Sequence, residues 1–231
     1  MMTERERRLA PFLFDASGRT QVVAGVRDTD ACRVIAVRLE KPLWELAPGR
    51  MGDEYGVLWR TEGGAAVPEG HPVPDADALD AYRFPEVQTG FIEEKLDAFR
   101  DAPEEVLRVC TIPAPCLGRA ERLAGRGVLH RAMRGDEEFA HTLLRRCCEH
   151  TLRVMDAALQ FDFDVLRLEE RWENADGTPM EPDVWRTCVK PYLARLYAMG
   201  KAYRKPIIQA GADAAFLGDL CELGVDMMET P

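Results

Sequence analysis

The sequence predicts an α/β fold in which parallel strands and helices alternate around a barrel wall, as in a TIM-like (β/α)8 barrel. Short apolar runs that fit buried strands recur in the second half of the 231-residue chain, at 107–112, 164–168, 206–209 and 225–228. Helical segments separate these runs, which is the pattern of βαβ units and a parallel sheet. No glycine-rich phosphate turn follows any run, so a barrel is favoured over an open dinucleotide-binding sheet.

The helices are predicted from apolar periodicity and from start signals. In the long segment 136–159, Phe139, Leu143 and Leu152 fall on one face at helical spacing. Pro182 followed by Asp183 favours the first turn of a later helix. Further helical segments are expected at 117–133, 192–201 and 214–223.

The first hundred residues are predicted to form an N-terminal region that packs on the barrel, and residues 101–231 a partial barrel. Residues 33–39 carry the β-branched alternation of a strand, and another strand is expected near Val57. Residues 61–80 are rich in glycine, proline, alanine and aspartate, which predicts an irregular excursion without a core of its own.

Composition narrows the class of protein. Forty acidic residues against thirty basic ones give a net charge of −10, which argues against nucleic-acid or anionic-membrane partners. No apolar stretch is long enough for a membrane span or a signal-peptide core, so a cytoplasmic protein is expected. The seven cysteines are scattered and form no CxxC pair, which favours buried thiols in a reducing compartment.

Several strings resemble the uroporphyrinogen decarboxylase superfamily, and most of all its corrinoid-dependent methyltransferase branch. They follow one another from residue 53 to the C-terminus. They are DEYGVLWR at 53–60, CLGRAER at 116–122, FDFDVLRL at 161–168, MEPDVWR at 180–186, and the stretch from Ile207 to Asp226.

The resemblance implies a (β/α)8 barrel whose site lies at the carboxyl ends of the strands. Members of this branch move methyl groups to or from the cobalt of a corrinoid (cobalamin) on a partner protein, so no tightly bound cofactor is expected in this chain. The implied partners are a corrinoid protein or a small-molecule methyl donor or acceptor. The implied catalytic residues are Glu170, Gln209 and Asp213. The residues expected to face substrate or corrinoid are Trp172, Glu169, Arg171, Tyr55 and Trp59.

Two departures from the family pattern bear on chemistry. Methyltransferase relatives carry Gly-Asp-Asp-Trp where this chain has Glu169-Glu-Arg-Trp172, so Glu170 replaces one carboxylate and Arg171 reverses the other charge. A solvated charged turn with Trp172 as a packing residue is the alternative interpretation. Zinc-using relatives carry His-x-Cys-Gly where this chain has Gln209-Ala-Gly-Ala, so zinc and other metals are not expected.

Three functions stay open at this point. The leading one is a methyltransferase-type domain that acts with a corrinoid protein. A truncated or degenerate relative that binds a ligand or partner without catalysis is the alternative. Uroporphyrinogen decarboxylase activity in tetrapyrrole biosynthesis is a second alternative. It fits less well, because the arginine-rich N-terminal loop that holds acetate groups in those enzymes has no counterpart here.

Length adds a further expectation. A (β/α)8 barrel takes about 250 residues, so two or more strands are expected to be missing at the C-terminal end of this one. The chain is then a fragment, an open smaller sheet, or a subunit that completes its sheet with a second copy. We favour association into a homo-oligomer, because an open sheet leaves strand edges to be paired.

Overall fold

The computed structural model describes residues 33–174 and 176–230 in full and residues 21–23 as backbone. Six parallel strands form its main sheet. They are β1 Gln21–Val23, β2 Arg33–Arg38, β7 Val106–Pro113, β8 Val165–Glu169, β9 Ile207–Ala210 and β10 Met227–Glu229. Their order in the sheet is β1-β10-β9-β8-β7-β2. The α/β class with a parallel sheet is thereby confirmed. The strands described do not close into a barrel, because β1 and β2 lie at opposite ends of the order.

The two faces of this sheet are used differently. One face packs against the helices through residues such as Ile112, Leu166 and Ile207, which belong to the large hydrophobic core. The other face carries a small apolar cluster near the start of the strands, made of Leu107, Val109, Val165, Ile208 and Met227. Side chains alternate between faces along a strand. Residues two or four positions after a member of this cluster therefore lie on the same face, closer to the carboxyl ends of the strands.

The helices cover the outer face of the sheet. Their bounds are α1 Ala76–Ala81, α2 Thr89–Leu96, α3 Leu117–Ala124, α4 Arg126–Gly135, α5 Glu137–Ala158, α6 Pro182–Cys188, α7 Lys190–Ala202 and α8 Leu217–Leu223. Asp136 caps α5, because its side chain accepts a hydrogen bond from the backbone N–H of Phe139. Pro182 starts α6, where a missing N–H costs nothing. No helix within the described ranges is long and apolar enough to cross a membrane.

A separate four-stranded antiparallel sheet follows β2 in the chain. It consists of β3 Trp44–Ala47, β4 Arg50–Gly52, β5 Leu58–Glu62 and β6 Ala65–Gly70. The expectation of an irregular excursion over 61–80 is therefore wrong, since this stretch contains most of a hairpin and helix α1. Gly63 and Gly64 both have positive φ, at +58° and +84°, which is the backbone of a two-residue hairpin turn. The glycines that suggested irregularity make the turn.

This small sheet is attached to α3. The backbone N–H of Val73 donates to the carbonyl of Leu123 at 2.9 Å. The ring Nδ1–H of His71 donates to the carbonyl of Arg122 at 2.8 Å. The attachment places Trp59 and His71 beside the carboxyl ends of the parallel strands. The division of the chain at residue 100 stays a prediction, although β2 extends the parallel sheet to the N-terminal side of that point. Association into a homo-oligomer also stays a prediction.

Candidate functional site

A cleft of about 750 Å3 opens at the carboxyl ends of the parallel strands. We call it the strand-end cleft. Its basic lining consists of Arg38, Arg122, Arg126, Arg167 and Arg171. Its acidic lining consists of Glu121, Glu169, Glu170, Glu173 and Glu229. Five positive and five negative side chains thus leave the lining without net formal charge when His71 is neutral.

A chain of ion pairs crosses the floor of the cleft. The Arg167 guanidinium donates to both carboxylate oxygens of Glu229, at 2.7 and 3.0 Å, and to Glu169 at 2.9 Å. Glu169 is also paired with Arg38 on β2, so this row of ion pairs passes over β7, which lies between β8 and β2. All four residues project from the same face of the sheet, one or two steps beyond its apolar cluster. Burial lowers the pKa of Arg167, but the hydrogen bonds and charge of Glu229 raise it on balance.

Glu170 borders the cleft, but its carboxylate is committed to the fold. Its Oε1 accepts hydrogen bonds from the backbone N–H groups of Cys116 and Gly118, each at 2.9 Å. Its Oε2 accepts one from the indole N–H of Trp172 at 3.2 Å. The carboxylate therefore occupies the N-terminus of α3, where backbone N–H groups have no partner within the helix. Burial raises the pKa of Glu170, and the backbone donors oppose that effect.

Trp172 does not face the cleft. Its ring is buried and packs against Trp185 and Phe216, with ring centroids 4.8 and 5.2 Å away. This position agrees with the alternative interpretation in which Trp172 is a packing residue. The reason is that the chain turns after Glu170, so the indole enters the core between α6 and the 3₁₀ turn at Ala214–Phe216.

Gln209 and Asp213 are also placed away from the cleft. Gln209 is fully buried on the helix-facing side, where its amide oxygen accepts from the Tyr197 hydroxyl at 2.7 Å. Asp213 is exposed, and it caps the following 3₁₀ turn by accepting from the N–H of Ala215 at 2.8 Å. The Gln209 amide nitrogen also lies 3.5 Å from the backbone carbonyl of Glu170, to which it donates. The two predicted catalytic residues thus hold local structure, and neither lines the cleft.

The remaining predicted residues divide between two places. Arg171 extends into the cleft, where its side chain is 65% exposed and its Nη1 lies 3.9 Å from Glu173. Trp59 borders the cleft from the small sheet, and its indole N–H donates to Asp53 at 3.1 Å. Tyr55 lies outside the cleft in an adjacent groove, where burial raises its pKa to about 12.

The sequence analysis missed a carboxylate–imidazole pair in the cleft wall. The Nε2–H of His130 donates to Glu121 at 2.7 Å, and the Nε–H of Arg126 donates to the same oxygen at 3.1 Å. His130 is buried, whereas Glu121 borders the cleft. A carboxylate at a cavity wall, held in place by an imidazole behind it, can accept a proton from a bound ligand. Both residues lie close to or inside strings that carry the family resemblance, but their contact depends on how α3 and α4 pack.

The residues at the position where zinc-using members of the family that this sequence resembles carry His-x-Cys do not fit a metal. The Gln209 amide faces the helices, and Gly211 has no side chain. A Cβ added at Gly211 would lie 2.8 Å from the carbonyl oxygen of Glu170, so a ligand residue could not be placed there without movement of the backbone. Within the described ranges, no group of three or more histidine, cysteine, aspartate or glutamate side chains is positioned to hold a metal ion.

Comparison with known proteins gives a family match and two curated relatives. A family model described as uroporphyrinogen decarboxylase (URO-D) matches residues 62–230. Curated uroporphyrinogen decarboxylases from two strains of Thermus thermophilus are each 26% identical over 168 residues, covering 68% of this chain and 47% of the relative. The chain thus spans about half the length of the curated relatives it matches.

A solved structure shares the fold. A methyltransferase from Methanosarcina mazei matches 84% of this chain and 56% of its own with a TM-score of 0.58 and 18% sequence identity. At that identity the similarity establishes the architecture only. The TIM-barrel-like sheet of the family is therefore supported, with the strand-end cleft at the position where such barrels hold their active sites.

Proposed function

The chain belongs to the uroporphyrinogen decarboxylase family, and from this premise we propose that it is a methyl-transfer domain that acts with a corrinoid carried by a partner protein. The observation that carries the proposal is the charge balance of the strand-end cleft. Five arginines and five glutamates line it, and most of them are paired with one another. Such a lining suits a ligand rich in amides and a neutral methyl group better than a polyanion.

The corrinoid fits this cleft as a group presented from outside. The corrin ring carries many amide side chains, which need hydrogen-bond donors and acceptors at the rim. Arg171 and Glu173 offer both at the mouth, and neither is buried. When bound, the corrinoid supplies an electrophilic methyl group on cobalt. The chain's own contribution is to orient the acceptor and to exclude water above the ion-paired floor.

Proton movement is the second contribution of the chain. A thiol or amine acceptor loses a proton as it is methylated, so a base must stand in the cleft wall. Glu121 is placed for this role, because it borders the cleft and is held by His130 and Arg126. Glu170 is unsuited to it, since its carboxylate oxygens are occupied by α3 and Trp172.

The test follows the corrinoid itself. The purified chain is mixed with methylcobalamin and a series of thiol and amine acceptors, and the visible spectrum of the corrinoid is recorded as the methyl group leaves. We expect demethylation faster than the protein-free rate with at least one acceptor, and perturbation of the corrinoid spectrum on binding. If neither the demethylation rate nor the corrinoid spectrum changes with any acceptor, the result would favour a non-catalytic relative and contradict the proposal.

Porphyrinogen decarboxylation is the second candidate. The names of the Thermus relatives and the five arginines of the cleft favour it. Against it, Arg38 and Arg167 share Glu169, and Arg167 is also committed to Glu229, so a ligand with many carboxylates would have to displace internal partners. Incubation with uroporphyrinogen, followed by chromatography of the oxidised porphyrins, separates the candidates. Loss of carboxylates from that substrate would replace the methyl-transfer proposal.

A further inference from the structure

Arg119 is a buried cation without a counterion among the residues that the structure describes. It lies in the first turn of α3, and only 8% of the residue is exposed. It makes no hydrogen bond or salt bridge with any of those residues, and its Nε–H is enclosed without an acceptor. Burial of a guanidinium is costly unless an anion or several acceptors compensate it. The surroundings of Arg119 therefore call for an anion that the described part of the chain does not provide.

Arg119 is nevertheless held in a defined position. Its guanidinium carbon lies 3.6 Å from the centre of the Tyr55 ring, in a cation–π stack. The Tyr55 hydroxyl is in turn 3.2 Å from Nε2 of the buried His150. Stacking occupies a face of the guanidinium, and its terminal Nη groups are not among the enclosed atoms. Such terminal N–H groups recognise carboxylate or phosphate.

A groove of about 480 Å3 lies at this arginine, between the small sheet and α3. We call it the Arg119 groove. It shares Trp59 and Arg122 with the strand-end cleft but is lined otherwise by different residues. They include Glu40, Lys41, Asp53, Glu54 and Lys95.

The charges of the groove can be assigned one by one. Lys41 is paired with Glu54 at 2.7 Å, and Arg122 with Glu40 at 3.0 Å. The Asp53 carboxylate accepts from the backbone N–H groups of Tyr55 and Val57 and from the indole of Trp59, so it is not the partner of Arg119.

Lys95 adds a second cation to the same groove. It lies 5.6 Å from the Phe91 ring, and no carboxylate of the described chain is within 4.0 Å of it. The groove therefore holds two cations that no carboxylate of the described residues neutralises.

We propose that the Arg119 groove binds the carboxylate or phosphate group of a small molecule, with Arg119 as the principal contact and Lys95 at the rim. The inference does not depend on methyl transfer, because Arg119 and Lys95 do not line the strand-end cleft. A monocarboxylate, a dicarboxylate and a phosphate monoester share the chemistry that this site recognises.

The test compares anions at matched ionic strength. Thermal unfolding and isothermal titration calorimetry are carried out with inorganic phosphate, with succinate and with sodium chloride. We expect phosphate, succinate or both to raise the unfolding temperature above the chloride value and to bind with measurable heat. The anion that binds identifies the class of ligand. If neither phosphate nor succinate binds or raises the unfolding temperature, the proposal is overturned.

Two variants locate the effect. Arg119→Met keeps the length of the side chain and removes the charge, and we expect it to weaken anion binding by about 10–100-fold. Because it removes an uncompensated buried charge, its unfolding temperature in chloride should stay equal to wild type or rise. Arg145→Met removes an exposed arginine of α5 and serves as the matched control, with binding unchanged.

A purely structural role for Arg119 gives the opposite result. Arg119→Met would then unfold at a lower temperature in chloride and would keep the same response to anions, and this pair of results would contradict the proposal. If Arg119→Met does not fold, quenching of tryptophan fluorescence by the same anions carries the test. We expect quenching in wild type and its loss in Trp59→Phe, whereas equal or no quenching in both proteins would count against the site.

Discussion

The carbonyl oxygen of Glu170 occupies the space that a side chain at Gly211 would need. Gly211 has φ of +81°, and a Cβ there would come within 2.8 Å of that oxygen. The two residues follow the neighbouring strands β8 and β9, so the carboxyl ends of these strands are packed backbone to backbone. The close approach explains why a glycine stands at this place in the present chain, and why a zinc-binding cysteine could not simply be introduced there.

Gly211→Ala should destabilise the protein strongly. The left-handed backbone costs about 1–2 kcal/mol for an L-residue, and the overlap with Glu170 adds about 1–3 kcal/mol. Gly64→Ala is the matched control, because Gly64 has φ of +84° but no atom within 4 Å of the added Cβ. Urea unfolding of both variants checks the expectation. Equal losses in the two would show that the close contact does not matter.

Glu170→Ala should cost about 2–4 kcal/mol of unfolding free energy. The substitution leaves the N–H groups of Cys116 and Gly118 without an acceptor in a buried place, which is more costly than losing an exposed hydrogen bond. Glu170→Gln keeps an acceptor oxygen and should cost less. Glu149→Ala on the exposed side of α5 is the control and should change stability little. A loss in Glu170→Ala no greater than in Glu149→Ala would argue against the capping role.

His150 should make stability depend on pH. Burial, with the charges of Arg119 and Arg153, lowers its pKa to about 4, whereas an unfolded histidine has a pKa of about 6.5. Between these values the unfolded chain takes up a proton that the folded chain refuses, so stability falls as the pH drops from about 6.5 towards 4. The loss of unfolding free energy across this pH range is on the order of 3 kcal/mol.

The check for His150 is a comparison of unfolding free energies across that pH range. His150→Leu removes the titrating ring, so its stability should decline less steeply than that of wild type below pH 6.5. Parallel curves for the two proteins would assign the pH dependence to other groups.

Glu121→Gln should reduce methyl transfer to a neutral acceptor by roughly 10²-fold, the usual contribution of a positioned base. A thiolate acceptor generated at high pH needs no base, so the defect should shrink there. His130→Gln should show a smaller defect, because it removes only the group that orients Glu121. Stopped-flow absorbance of methylcobalamin gives both rates. A pH-independent defect would indicate that Glu121 serves binding and not proton transfer.

Five of the six described strands of the parallel sheet could be predicted, because apolar or β-branched residues mark them in the sequence, whereas β1 Gln21–Val23 was not predicted. The run at 107–112 corresponds to Val106–Pro113, and the run at 206–209 to Ile207–Ala210. The antiparallel sheet was not predicted in full. Its strand Ala65–Gly70 contains alanine, proline and glycine, which have low strand propensity, and cross-strand pairing with Leu58–Glu62 outweighs that preference.

The candidate site was predictable only where its residues adjoin in sequence. Glu169 is the last residue of β8 and Arg171 lies two residues beyond it, so their place at the cleft could be expected. Arg38 and Glu229 come from opposite ends of the described chain, and only the register of the sheet brings both to Arg167 or its partner. A polar residue at the end of an otherwise apolar strand was the signal that could have identified them. Arg119 gave no such signal, since its burial depends on the packing of Tyr55 above it.

The hydrogen bonds of Glu170 have a consequence for the kinds of cofactor this fold can use. In many α/β proteins the first turn of a helix beside the sheet is left open, and a phosphate of a nucleotide or coenzyme settles on its N–H groups. Here the start of α3 is already filled by a carboxylate of the chain itself, an internal substitute for that phosphate. An anion in the strand-end cleft therefore cannot use the N–H groups of Cys116 and Gly118, and the same helix presents Arg119 to a different cavity. The backbone N–H groups at the start of α3 are thus occupied by Glu170, while the side chain of Arg119 on the same helix is available to an anion.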